Sequence, residues 1–153
     1  EPNSYPNHEL ASNWRSSSSV GGTPGHSDNV SYIDWAANFG NPDPNSDLDS
    51  DDKTALLEFA NGTDPTVPTT SKDTATALLD SSGALTVSFK RSLTSKGLSF
   101  IIETSNDLIV WKSDTKNWQY SGEKNLDDGT AIVSFLCIID DYPQYVRQRI
   151  NLK

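Results

Sequence analysis

An alternation of acidic residues in the first half of the chain has the spacing of a cation site. Carboxylates stand at Asp47, Asp49 and Asp51, and a fourth follows at Glu58. Ca²⁺ prefers about six to eight oxygen ligands, and alternating carboxylates converge on one point when the chain curls. The main-chain carbonyl of Lys53 adds a further oxygen. We therefore predict a Ca²⁺ site at these five residues.

The same residues occupy positions 1, 3, 5, 7 and 12 of an EF-hand calcium loop. Position 6 is normally Gly because the chain turns sharply there, and this chain has Asp52. Asp accepts a left-handed backbone at a cost of about 1 kcal/mol, so we expect a weakened Kd of roughly 10⁻⁴–10⁻³ M. Asp43, Asn45 and Asp64 are candidate supplementary ligands, although turns and caps explain them as well. The alternative is a solvated acidic loop without metal.

Two short amphipathic helices are predicted on either side of this loop. In residues 31–39 apolar side chains recur at helical spacing, and residues 53–61 repeat the pattern. Gly40 and Pro42 end the first stretch, and Gly62 after the second offers the left-handed residue that ends many helices. The loop is therefore expected inside an EF-hand-like helix-loop-helix over residues 31–65.

The hydrophobic period changes from helical to alternating after a linker at residues 66–73. Alternation predicts strands at the following ranges: 85–90, 98–103, 109–113, 117–121, 131–139 and 144–152. Strands spaced this regularly predict an antiparallel β-sandwich of the immunoglobulin or fibronectin type over residues 74–153. The strand at 131–139 is apolar on both faces and is expected to be central, with Cys137 in the core. The chain is thus predicted to be mainly β with a small α part.

The distribution of charge narrows the classes of partner. The formal net charge is −9, and residues 1–65 carry eleven acidic and two basic residues, whereas the rest of the chain is balanced. Nucleic acid is disfavoured because a phosphate backbone requires a basic stripe. No apolar run approaches the roughly 18 residues of a membrane span. The chain opens without Met or an apolar leader, so we expect a mature or excised piece of a longer protein.

The stretch from Asp47 to Pro65 resembles the single calcium loops, related to dockerin and thrombospondin type 3 repeats, of large secreted bacterial proteins. Residues 100–111 and 145–152 are similar to the sandwich that often follows such loops. Residues 13–25 resemble the closing strand of a bacterial lamin-tail domain. The resemblance implies an exported, noncatalytic appendage located outside the cell or at its surface. A true dockerin is not expected because a second loop is absent.

Catalytic residues are not evident in the sequence. His8 and His26 lie in the Ser/Pro/Gly-rich residues 1–30, predicted to be extended, where a rigid acid-base geometry is difficult to build. The acidic pairs 127–128 and 140–141 lie in predicted turns, and turn formation explains them better than glycoside cleavage does. We therefore predict that the chain is not an enzyme.

A binding surface is predicted from aromatic and charged side chains of the β part. Trp118 and Tyr120 lie close together in sequence, and Arg147 and Arg149 share one face of the last strand. Aromatic rings beside hydrogen-bonding charges suit sugar rings. The sequence leaves open whether the two aromatic residues are exposed, and it predicts Trp111 in the sandwich core.

These observations lead to two functional hypotheses. The first is a noncatalytic, extracellular, calcium-stabilised accessory module that attaches a larger protein to polysaccharide, the cell surface or a partner protein. The alternative is a self-assembling subunit of an extracellular filament or surface array, in which residues 1–30 add a strand to a neighbour's sheet.

Overall fold

The computed structural model describes residues 28–70, 75–126, 128–139 and 142–153. Two helices precede six strands: α1 Tyr32–Ala36, α2 Ala55–Asn61, β1 Ala75–Leu79, β2 Leu85–Ser92, β3 Leu98–Ser105, β4 Trp118–Leu126, β5 Thr130–Cys137 and β6 Tyr145–Leu152. The chain is therefore mainly β with a small α part, as predicted. Among the described residues no helix is long and apolar enough to cross a membrane.

Several sequence predictions fall outside the described residues. They concern His8, His26 and the lamin-tail resemblance in residues 1–27, most of the predicted extended segment 1–30, the end of the linker at residues 71–73, and Asp127, Asp140 and Asp141.

The strands form two antiparallel sheets. The larger sheet has the order β1-β2-β5-β4, and the smaller sheet pairs β3 with β6. In a constant-type immunoglobulin sandwich the first sheet has strands A, B, E and D, and the second contains C and F. The six strands follow the order of strands A to F, without a counterpart of the seventh strand among the described residues, and the two antiparallel sheets confirm a β-sandwich. β5 is central, as predicted, and the hydroxyls of the directly opposed Ser88 and Ser134 lie 2.8 Å apart across it.

Alternating side chains of both sheets form the core between them. Leu85, Val87 and Phe89 of β2 are buried because every second side chain of a strand points to the same face. They pack with Trp118 and Cys137, and partly buried side chains of β3 and β6 cover them from the other sheet. The prediction that Cys137 belongs to the core is confirmed; it is a buried free thiol.

The predicted strand at 109–113 is absent from the described fold. The carboxylate of Asp107 accepts hydrogen bonds from the main-chain N–H groups of Ile109 and Val110, both at 2.8 Å. Leu108 has a left-handed backbone with φ of 62°. Such local bonds compete with a strand ladder, so only Lys112 forms an isolated bridge, to Thr104.

Two further sequence predictions need correction in the β part. Trp111 is partly exposed instead of lying in the core, and the guanidinium of Arg147 stacks 4.0 Å from the centre of its ring. The sequence does not predict β1, because Ala75–Leu79 has no sustained alternation of apolar and polar residues. In the structure all five residues are exposed. It exists through its pairing with β2 at the edge of the larger sheet.

The two helices pack against one end of the sandwich. Ser31 and Thr54 cap them, so each helix begins one or two residues later than predicted. Tyr32, Phe59 and Leu98, the first residue of β3, belong to one buried apolar cluster. This cluster joins the helices to the sheets.

The C-terminal end of α2 fits closely against the larger sheet. The hydroxyl of Ser95 donates to the carbonyl of Phe59 at 2.7 Å. Gly62 ends the helix with φ of 73°, and a Cβ there would lie 2.9 Å from Cγ2 of Thr130. Only glycine accommodates both the left-handed backbone and this close approach.

Candidate metal centre

Main-chain hydrogen bonds turn the carboxylates of the acidic loop, residues 47–58, inward. Asp47 accepts from the N–H of Ser50 at 2.7 Å and from that of Asp52 at 2.9 Å. Asp49 accepts from the N–H of Asp51 at 3.2 Å, and Asp51 accepts from that of Lys53 at 2.9 Å. Each carboxylate thereby curls the following residues around itself, as the predicted calcium loop requires.

The backbone at position 6 of the loop is left-handed. Asp52 has φ of 66°, and Ser50 has φ of 65°. Asp tolerates this conformation better than most residues because its short side chain can bond locally. Asp52 thus adopts the turn that Gly normally provides, although it replaces Gly in sequence.

The three aspartates of the loop converge on one point. One carboxylate oxygen from each of Asp47, Asp49 and Asp51 lies within 4.8 Å of the others. Glu58, on α2, is fully buried, and its Oε2 has no hydrogen-bond partner among the described residues; the same holds for Oδ2 of Asp49. A buried carboxylate oxygen without a partner is costly unless a cation satisfies it. The three aspartates therefore fit an oxygen-ligated divalent cation such as Ca²⁺, and the buried, unpartnered Oε2 of Glu58 is a candidate fourth ligand outside that group.

The electrostatics of the loop favour a bound cation. Burial raises the pKa of Glu58 to about 7, and the nearby charges of Asp49 and Asp51 contribute to the rise. Burial and the charge of Asp51 also raise the pKa of Asp49. Like charges held close together disfavour one another's ionised forms, whereas a divalent cation reverses this effect.

The side chain of Lys53 takes part in the centre in a way that the sequence did not reveal. Lys53 is buried, and its ammonium donates to Oδ2 of Asp51 at 2.9 Å and to the carbonyl of Thr69 at 2.5 Å. The main chain and hydroxyl of Thr69 also donate to Oδ2 of Asp51. Burial opposes ionisation, but these hydrogen bonds outweigh it and lower the pKa of Asp51. The carbonyl of Lys53 stays the predicted ligand at position 7.

The candidate supplementary ligands have local structural roles. Asp43 accepts from the N–H of Asn45 at 2.9 Å, and Asp64 accepts from the N–H and hydroxyl of Thr66 at 2.9 and 2.7 Å. Both are turn motifs in which the side chain bonds two residues ahead. Within the described part of the chain, the only acidic group close enough to hold a metal is the aspartate triad of the loop.

The four residues of the predicted binding surface do not share one surface. Trp118 is only 8% exposed and packs in the sandwich core, so it does not share an open surface with the other three residues. Tyr120 is exposed on β4 of the larger sheet, whereas Arg147 and Arg149 lie on β6 of the smaller one. Both arginines pair with the buried carboxylate of Glu103, at 2.7 and 3.1 Å.

A polar cleft of about 440 Å³ opens at the end of the sandwich away from the helices. The helices pack on Leu98 at the start of β3. The cleft is lined by Thr104 and Ser105, at the opposite end of the same strand. The cleft is lined by polar side chains that include Asp107, Lys112 and Asn117, and Trp118 forms part of its wall. No histidine occurs in the described residues.

The described member of the predicted acidic turn pairs has a structural role. Asp128 accepts hydrogen bonds from the N–H and the hydroxyl of Thr130 at 3.0 and 2.5 Å. Its second oxygen pairs with Lys90 at 3.3 Å. These bonds hold the turn between β4 and β5, as the sequence predicted for this residue.

Comparisons of the chain with protein-family models, curated proteins and solved structures found no match. The resemblance to dockerin and thrombospondin type 3 loops therefore stays a prediction, supported by the residues of the loop itself.

Proposed function

We propose that the chain is a noncatalytic, calcium-stabilised accessory module that acts outside the cell or at its surface. One observation carries this proposal: three aspartate carboxylates converge within 4.8 Å, beside a fully buried Glu58. Oxygens of Asp49 and Glu58 lack hydrogen-bond partners in the described structure, as expected of cation ligands.

Calcium, when bound, offsets half of the charge of the four carboxylates. The protein supplies the connection from that site to the rest of the fold. Glu58 lies on α2, one residue before Phe59, which belongs to the apolar cluster shared with α1 and β3. Fixing Glu58 therefore fixes the helix against the sandwich. The resulting function is mechanical: the loop, helices and sheets act as one unit.

The attachment surface of the module belongs to the β part under this proposal. The polar cleft of about 440 Å³ has the size of a small-ligand site and offers both donors and acceptors for sugar hydroxyls. The ring of Tyr120, 58% exposed, offers a separate stacking surface. Polysaccharide is therefore the partner that we place first, ahead of another cell-surface component or a protein.

Thermal melting tests the calcium part of the proposal. The melting temperature should rise when Ca²⁺ is titrated to about 10 mM and fall again with chelator, and Asp49→Ala should abolish the rise. Unchanged melting of the unmutated protein in chelator rejects calcium stabilisation. A glycan array with and without calcium tests attachment, with Asn117→Ala as the cleft variant and Tyr120→Ala as the exposed-ring variant.

Self-assembly is the second candidate, and β1 is the observation that favours it. β1 is an uncharged edge strand, and Leu78 and Leu79 on its two faces are 68% and 65% exposed. Such an edge can accept a strand from a neighbouring chain. Light scattering over a range of concentrations distinguishes the candidates: growth that Leu78→Lys suppresses supports assembly, and a monomer at every concentration rejects it.

A further inference from the structure

Asp51, inside the acidic loop, contacts Thr69 of the linker that leads to the sheets. Its Oδ2 accepts hydrogen bonds from the main-chain N–H of Thr69 at 2.7 Å and from the Thr69 hydroxyl at 3.0 Å. The ammonium of Lys53 bridges the same oxygen and the Thr69 carbonyl, at 2.9 and 2.5 Å. Four hydrogen bonds thus join Asp51, Lys53 and Thr69.

The two oxygens of Asp51 have different partners. Oδ2 receives three donors, which exceeds the roughly two that a carboxylate oxygen accommodates best, whereas Oδ1 receives only the N–H of Lys53. Oδ1 is therefore the oxygen with capacity for a cation. The side chains of Lys53 and Asp51 are only 7% and 5% exposed, so solvent screens their interaction with the linker little.

We propose that Asp51 couples occupancy of the calcium site to docking of the linker, with Thr69 and Lys53 as positioning residues. This inference rests on the proposed calcium function and deepens it. A docked linker holds the Asp51 carboxylate by Oδ2 and so orients Oδ1 before a cation arrives. Coupling between two binding events is reciprocal, so a cation held by Oδ1 must stabilise the docked linker in turn.

Thr69 permits a test with closely matched variants. Thr69→Val removes the hydroxyl bond to Asp51 at nearly constant volume, and Thr69→Ser restores a hydroxyl. Thr66→Val is the control, because it removes a linker hydroxyl that bonds to Asp64 instead. By calorimetric Ca²⁺ titration we expect about fivefold weaker binding for Thr69→Val and near-normal binding for Thr69→Ser and Thr66→Val.

Amide hydrogen exchange measures the reverse direction of the coupling in the unmutated protein. The N–H of Thr69 donates to Asp51, so saturating Ca²⁺ should slow its exchange severalfold more than that of Thr66, whose N–H bonds to Asp64 and shares only the general stabilisation by calcium. If the protein binds Ca²⁺ but Thr69→Val binds it equally well and Thr69 exchange ignores calcium, the coupling is wrong and the calcium site stands. If the unmutated protein binds no Ca²⁺, the proposed function fails and the coupling fails with it.

Discussion

Replacing Glu58 with Gln gives opposite expected effects with and without calcium. Without a cation, Glu58 places a buried charge beside Asp49 and Asp51. Gln keeps the shape and removes the charge, so the cation-free protein should become more stable. With calcium, Gln cannot supply the two charged oxygens expected at position 12, so the stabilisation by calcium should be lost.

The magnitude without calcium follows from the pKa of Glu58. Burial, followed by the two aspartates, raises this pKa from 4.5 to about 7. The folded protein then binds more protons than the unfolded chain between pH 4.5 and 7, so stability is lost as the pH rises through that window. At about 1.4 kcal/mol for each tenfold change, the loss is complete above pH 8 and amounts to about 3 kcal/mol. Glu58→Gln should recover most of it.

The magnitude with calcium follows from mass action. A Kd of roughly 10⁻⁴–10⁻³ M and about 10 mM Ca²⁺ give a gain of about 1.4–2.7 kcal/mol for the unmutated protein. A chain of this length gains about 2–4 °C in melting temperature for each kcal/mol. The unmutated protein should therefore melt about 3–11 °C higher with calcium, and Glu58→Gln should show almost no change.

Thermal melts at pH 8 in chelator and in about 10 mM Ca²⁺ provide the assay. The matched control is Glu123→Gln, which removes a carboxylate paired with Arg91 at the surface, 2.6 Å away. This control should lose less than about 1 kcal/mol and keep the full calcium response. The reasoning is refuted if Glu58→Gln melts below the unmutated protein in chelator, or gains as much from calcium as the control.

Three further substitutions test the fold around the site by thermal melting. Gly62→Ala should cost about 2 kcal/mol, more than Gly83→Ala, because both have a left-handed backbone but only Gly62 meets neighbouring atoms within 4 Å; equal losses would contradict the close approach. Glu103→Gln should cost about 2 kcal/mol, since two guanidinium groups lose a buried carboxylate; a loss below 0.5 kcal/mol would exclude such a role. Asp52→Gly should stabilise the cation-free protein by about 1 kcal/mol, and destabilisation would argue against backbone strain there.

The parts of the fold that the sequence predicted depend on interactions between near neighbours. The predicted calcium ligands lie within a span of twelve residues, and the hydrogen bonds that shape the loop join residues two to five apart. The inner face of β2 follows from strict alternation at Leu85, Val87 and Phe89. Short-range patterns of this kind are visible in a single sequence because no distant partner decides them.

The linker contact of Asp51 was invisible in the sequence for the opposite reason. Thr69 lies 18 residues from Asp51 and 16 from Lys53, in a stretch without periodicity. A lysine inside an acidic loop is explained equally well by solvent exposure or by charge balance. Only the folded chain shows that its ammonium is buried and shared with the linker carbonyl.

Trp111 and Trp118 show why the burial of a side chain in the β part could not be predicted from its neighbours in sequence. Trp111 follows an apolar run that predicts a strand, but the bonds of Asp107 to the next main-chain N–H groups remove this segment from the sandwich. Trp118 lies in a polar stretch, yet β4 pairs it directly with Cys137 of β5. Directly paired residues of neighbouring strands point to the same face. Because Cys137 faces the core, register turns Trp118 toward that face, where it packs with Leu85, Val87 and Phe89, whatever the polarity of its neighbours in sequence.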